Sequence, residues 1–159
     1  MNPNVNDDLW MSMAVALANA STCRVRVGCV LVQSKEYVGG GYVGSVPGDV
    51  HCNVDECLLV DNHGLKGSSN SGKSCIRTVH AETNAVLRCK VRGTLEHPIT
   101  AYCTHQPCLE CTKALVAIGV RRIVYLHEYR DVHRDTYVNA LKFNASFILH
   151  TSKYAKENS

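Results

Sequence analysis

The sequence predicts an α/β fold whose sheet opens with a hairpin and runs largely parallel afterwards. Three observations support this. Two apolar runs, residues 25–32 and 37–42, are parted only by the turn-like Gln33-Ser34-Lys35-Glu36. Beyond residue 78, helical periods alternate with short strand-like runs. Hydrophobic residues fill 45% of the 159 positions and charged residues 19%, so the chain can bury one core and does not read as disordered. A single domain over 1–159 is expected, with a long loop insert at about 44–75.

In order, residues 7–20 read as a helix. Leu9, Trp10, Met13, Ala14, Leu17 and Ala20 fall near helical spacing, and Asp7 and Asp8 sit at the positive end of the dipole. Trp10 is expected in the core. Residues 25–32, Val-Arg-Val-Gly-Cys-Val-Leu-Val, form a buried strand, and 37–42 return beside it. Residues 44–74 differ: they are rich in Gly, Ser, Asn and Asp and show no sustained period. A structureless loop this long is unusual inside a compact domain. It carries His51, Cys52, Cys57 and His63, with Cys75 just beyond, so a metal is expected to hold it.

Thr78 is placed to cap a helix from 80 to about 91, with Ala81, Ala85, Val86 and Leu87 as apolar positions. Residues 99–104 read as a strand and 108–118 as a helix stopped by Gly119. Residues 123–126 read as strand, 135–142 as helix and 147–150 as a last strand. There is no internal repeat.

A net charge of +3 is too weak for a long nucleic acid, which needs a clustered basic face. One phosphate needs only one or two cations. No run is long enough to cross a bilayer. The first eight residues lack the basic and apolar regions of a signal peptide. A soluble protein of the cytosol is therefore expected, with no membrane partner. The nine cysteines, an odd number without a secretory signal, argue for metal ligation and free thiols over a disulfide framework. Cys29, Cys89 and Cys103 lie within element patterns and read as small buried apolar residues. His97, His127, His133 and His150 show no partner spacing and are expected on the surface.

Two motifs carry chemistry: His80-Ala81-Glu82 and Pro107-Cys108-Leu109-Glu110-Cys111. They match the general zinc-deaminase signature, H-x-E followed by P-C-x-x-C. Cys108 and Cys111 are three apart, so both sulfurs can face one ion. A helix N-terminus favours thiolates, and Pro107 suits a position needing no N–H donor. With His80 these make three ligands, leaving a fourth position of a Zn2+ site for water. Glu82 is expected beside the metal without ligating it, as the proton carrier of the reaction. The other reading is a purely structural zinc site with one more ligand, which has no need of the Glu. His105 adjoins the metal loop, where it either lines the pocket or supports it.

On these residues the chain resembles the deoxycytidylate (dCMP) deaminases of bacteria and their phages, within the cytidine deaminase-like superfamily. Similarity runs from about Leu9 to about Leu149. It includes Val27-Gly28, Gly41-Tyr42 then Gly44, His51-Cys52, the run from Arg77 to Ala85, the run from Thr104 to Ala114, and Tyr125 to Arg130. The resemblance implies a three-layer α/β/α fold: a five-stranded mixed sheet with helices on both faces and catalytic zinc at two helix N-termini. It implies hydrolysis of dCMP to dUMP and ammonia, supplying thymidylate synthesis. It further implies a homohexamer, activation by dCTP, inhibition by dTTP, and Mg2+ accompanying the triphosphate. The setting would be the cytosol of a bacterium or of a phage-infected host. A deaminase acting on tRNA adenosine or free cytidine, and an inactive zinc-binding nucleotide sensor, are the competing readings.

The resemblance also suggests substrate contacts. Arg26 is the choice for the 5′-phosphate, since Arg forks match phosphate oxygens. Asn84 occupies the family's Asn position and would bond the sugar or base edge. Tyr129 and Arg130 follow a strand end, where parallel sheets place ligands, and either could close over the nucleotide. The bland alternatives are a surface arginine, an exposed helix Asn and a plain loop. The family's Gly-Tyr-Asn-Gly is Gly41-Tyr42-Val43-Gly44 here, which removes an amide from a nucleotide contact at either the active or the regulatory site. Some relatives hold a second, structural zinc. Cys52, Cys57 and Cys75 are the favoured ligands here, then Cys23.

Overall fold

The computed structural model describes residues 4–53, 55, 57–61, 73–129 and 131–150. Helix α1 (Asn4–Asn19) precedes a hairpin of β1 (Gly28–Gln33) and β2 (Glu36–Tyr42). The insert contributes β3 (Gly44–Ser45), β4 (Leu59–Asp61), β5 (Lys73–Cys75) and β6 (Thr78–Val79). Then α2 (Ala81–Arg88), β7 (Ile99–His105), α3 (Leu109–Ala117), β8 (Val120–His127), α4 (Val132–Ala140) and β9 (Ser146–Leu149) alternate. The main sheet has the order β2-β1-β7-β8-β9. Strand β1 is antiparallel to both neighbours, while β7, β8 and β9 are parallel, as the sequence pattern predicts.

The period-2 rule of a strand explains the layers. Cys29 and Leu31 point to one face and pack with Ala81, Ala85, Leu115 and Ile118 of the α2–α3 side. Val30 and Val32 point to the other and pack with Met11 and Ala14 of α1. Every residue of Cys29–Leu31 is fully buried, which is why this stretch reads as a continuous apolar run and not an alternation. Trp10 is not in the core: it is only partly buried, at the edge of the cluster between α1 and the sheet.

Gly28 is where α1 meets the sheet. A Cβ there would overlap the Ala14 carbonyl oxygen and come within 2.7 Å of the Ala18 nitrogen. Backbone cannot swing aside as a flexible side chain does. Gly28→Ala should therefore destabilise the fold by roughly 2–4 kcal/mol, read as a lowered midpoint in urea unfolding.

A polar tie pins the start of the chain to β8. Arg122 donates to both oxygens of Asp7 at 2.9 and 2.7 Å, and Tyr102 Oη donates to the same carboxylate at 2.7 Å. Burial alone would raise the Asp7 carboxyl, but these hydrogen bonds outweigh it and hold the group below its ordinary value. An unfolded Asp protonates near about 3.9, above the folded value. The tie thus stabilises at pH above about 4 and is lost as pH falls through the folded pKa. Asp7→Asn should lower stability by roughly 2 kcal/mol at pH 7 and reduce the difference at pH 3, measured by thermal melts across pH.

Several expectations shift. The strand expected from residue 25 starts at Gly28, because Arg24, Val25 and Arg26 are exposed on the approach to the sheet. Thr78 does not cap α2; it pairs with Ser45 in a short ladder, and His80 is the N-cap. The insert is not structureless: β3 pairs β6, and β4 pairs β5. His150 is not at the surface. It is buried, with Nε2 2.9 Å from Asp8 Oδ1, a partner 142 positions away that no local spacing reveals. His63 and Arg130 lie outside the described residues.

Candidate active site

The site forms where α2 and α3 begin. His80 and Cys108 are the N-cap residues of these helices, both in extended backbone, and neither side chain is used for capping. Each is therefore free to point elsewhere. Cys111 sits one turn into α3. His80 Nδ1 lies 3.7 Å from Cys108 Sγ and 3.3 Å from Cys111 Sγ, and all three atoms are within 4.8 Å of one another. Zinc–sulfur and zinc–nitrogen bonds of about 2.3 and 2.0–2.1 Å at tetrahedral angles require N···S separations of about 3.6 Å. One nitrogen and two sulfurs at these distances fit Zn2+.

The electrostatics agree. Hydrogen bonds from Cys111 and His80 hold the Cys108 thiol down at about 4. The imidazole of His80 is raised by the same contact with Cys108. Glu82 is only 4% exposed, and burial pushes its carboxyl up, although the Cys111 thiol bonds it. The carboxyl therefore stands against one of the three gathered donors, Cys111.

The loop carrying Cys108 is held from below by residues the motif search missed. Asp131, buried, accepts from the Leu109 N–H at 2.8 Å and from the Arg134 N–H at 3.0 Å, so one carboxylate serves the starts of α3 and α4. Arg134, 2% exposed, donates to the carbonyls of Pro107 and Tyr129 at 3.1 and 2.6 Å. The helix expected from 135 starts at Val132, one turn earlier, and the N-cap signal that marks this start is Asp131.

Glu82, His80 and Cys108 line a cavity of about 230 Å³. A second thiol group lines the same cavity. Cys52 Sγ lies 3.4 Å from Cys57 Sγ and 3.7 Å from Cys75 Sγ. Tetrahedral zinc would set sulfurs about 3.8 Å apart, so this trio also suits the ion. Cys23 is buried beside Cys52, but its Sγ donates to the Val43 carbonyl at 3.6 Å and stays out of the trio.

The substrate contacts fare unequally. Tyr129 lines the cavity. Arg26 is exposed and is not on the cavity wall, whereas Arg24 is. Asn84 spends its amide on the carbonyls of Tyr42 and Val79, at 2.9 and 3.5 Å, tying α2 to the end of β2. Val43 is buried against Cys23 and Cys52 on the cavity wall, so the departure from the family's Asn falls at this pocket.

A mixed sheet flanked by helices, with N and S donors gathered at two helix starts, defines a cytidine deaminase-like α/β protein. A family model described as the cytidine and deoxycytidylate deaminase zinc-binding region matches residues 4–127. The chain is 33% identical over 124 residues to the deoxycytidylate deaminase of Mycobacterium phage D29, covering 77% of this chain and 94% of that protein. It belongs to the cytidine and deoxycytidylate deaminase family. It is also 37% identical over 122 residues, 76% of its length, to ComE operon protein 2 of Bacillus subtilis, of which the match covers 59%. Of the deoxycytidylate deaminase of Schizosaccharomyces pombe, 32% identical over 146 residues, the match covers 44%. The dCMP deaminase of cyanophage S-TIM5, solved with dCMP and dUMP, superposes with a TM-score of 0.69 over 93% of this chain and 99% of that one. At 22% identity this likeness establishes the fold.

Proposed function

We propose that this protein is a zinc-dependent hydrolase that converts dCMP and water to dUMP and ammonia. The observation that carries the reading is the buried Glu82 carboxyl set against the His80–Cys108–Cys111 group inside one cavity. Bound there, Zn2+ would bring the pKa of a water molecule from about 15.7 to about 7. Glu82 would take the water's first proton and deliver it to ring nitrogen 3 as the oxygen bonds carbon 4; it would then take the proton of that new hydroxyl and pass it to the amino group, whose bond to carbon 4 breaks to release ammonia and leave the carbonyl of uracil. A burial-raised carboxyl suits both halves of that task, since it binds a proton readily and gives it back. Asp131 and Arg134 keep Cys108 in place while this happens.

The choice of dCMP rests on the deoxycytidylate deaminases among the relatives. The same reading takes in regulation by dCTP and dTTP with Mg2+, a hexamer, and a place in the cytosol supplying thymidylate synthesis. Arg24 and Tyr129, on the cavity wall, are better placed for the nucleotide than Arg26. The second thiol trio is read as a structural zinc site that fixes the insert.

Ammonia release from dCMP, cytidine, dCTP and tRNA, each with and without dCTP or dTTP, tests the assignment. Turnover of dCMP at least tenfold faster than of cytidine is expected. Equal rates would remove the phosphate from recognition, and turnover of tRNA alone would replace the substrate class.

A further inference from the structure

His105 closes β7, on the same face as Cys103, which belongs to the core cluster that includes Ala81 of α2. Its ring lines the cavity together with Gln106 and Tyr129. The ring stands 4.9 Å from that of His127, its partner in the parallel register. Nothing in the proposed chemistry uses it.

Its hydrogen bonding determines which nitrogen carries the proton. Nδ1 lies 3.2 Å from Thr104 Oγ1, and the same hydroxyl accepts from the Gly28 N–H at 3.1 Å. Thr104 is 4% exposed, and its hydroxyl has no other hydrogen-bond partner among the described residues. If Nδ1 carried a proton, the hydroxyl would have to accept twice, and its own proton would be buried without an acceptor. That costs about 1–3 kcal/mol. The relay therefore runs one way: Gly28 N–H to Thr104 oxygen, Thr104 O–H to Nδ1. The proton of the neutral ring is on Nε2, which has no protein partner among the described residues. Burial, and then the neighbouring His127, push the imidazole down to about 4, so the ring is uncharged at neutral pH.

We propose that His105 presents a fixed, uncharged Nε2–H donor to an acceptor oxygen of the nucleotide, with Thr104 as the positioning residue that sets its tautomer. This rests on the nucleotide-deaminase reading above. The contact is a binding contact through which no proton of the proposed reaction passes, so it should act on KM more than on kcat.

The test uses the zinc-loaded protein. His105→Phe keeps a ring against His127 and removes the donor; His105→Gln restores an N–H at similar reach. His105→Phe is expected to raise the KM for dCMP roughly 5–10-fold with kcat within about twofold, and His105→Gln to recover most of the loss. Loss on dCMP but not on deoxycytidine identifies a phosphate oxygen as the acceptor; equal loss on both identifies an oxygen of the base or sugar. Nitrogen-15 spectra of labelled histidine, with the His105 signal assigned by its absence in His105→Phe, should show the Nε2–H tautomer, and Thr104→Val should mix the two forms. A wild-type enzyme that turns over dCMP alongside an unchanged KM in His105→Phe, or an Nδ1–H signal, overturns the proposal. Failure of the wild type to deaminate any cytosine compound would instead sink the functional reading, and the tautomer result would stand by itself.

Discussion

Glu82→Gln is expected to remove nearly all deamination, by about 10³–10⁴-fold, while zinc content and fold are kept. Gln is isosteric, and Glu82 is not one of the gathered ligands, so the ion has no reason to leave. The site is buried, and burial disfavours the charged carboxylate, so a neutral amide is accommodated without loss of stability. The amide cannot accept or donate the protons that the reaction moves. Ammonia release, metal analysis and a melting curve on one preparation decide the matter. A variant that loses zinc along with activity would make Glu82 a ligand, and a variant retaining more than a tenth of the activity would remove it from catalysis.

The second large effect concerns the insert. Cys75→Ser should cut zinc from two ions per chain to one and strip amide protection from β4 and β5, with the catalytic ion retained. Structural zinc contributes about 10–16 kcal/mol in small zinc peptides at neutral pH, so a site reduced to two thiolates no longer holds the ion at ordinary zinc activity. Little else would then order this region: Leu58, Leu59 and Val60 are exposed and supply no core of their own. Hydrogen exchange followed by mass spectrometry reads the change. A wild-type protein carrying one zinc per chain would show that the trio is merely three free thiols.

Most of the sheet was legible because its strands are short apolar runs separated by helical periods. The runs at 28–33 and 99–105 are buried on both faces, and such strands announce themselves without alternation. The candidate site was legible because its spacing is local: two residues from His80 to Glu82, three from Cys108 to Cys111, and the fold gathers His80, Cys108 and Cys111. What escaped the sequence was long-range. The Asp7–Arg122 pair spans 115 positions and the His150–Asp8 pair 142, and neither leaves a periodic trace. Asn84 matched a family position, yet its amide is held by backbone carbonyls that only the folded chain brings near. Adjacency to Val27-Gly28 points to Arg26, but the irregular backbone before β1 puts Arg24 on the cavity wall instead.

The ladder pairs Gly44 with Val79 and Ser45 with Thr78. It clasps the two stems of the excursion between them, and Arg77 reinforces the clasp from inside by gripping Asp49 with two bonds of 2.8 and 2.7 Å. The excursion therefore leaves after β2 and returns before α2 at one spot, and lengthening it further adds little entropy cost, since each doubling of a flexible loop costs only about 0.6 kcal/mol. Such a cassette can be exchanged, enlarged or rewritten while the starts of α2 and α3 that hold His80, Glu82, Cys108 and Cys111 stay in place.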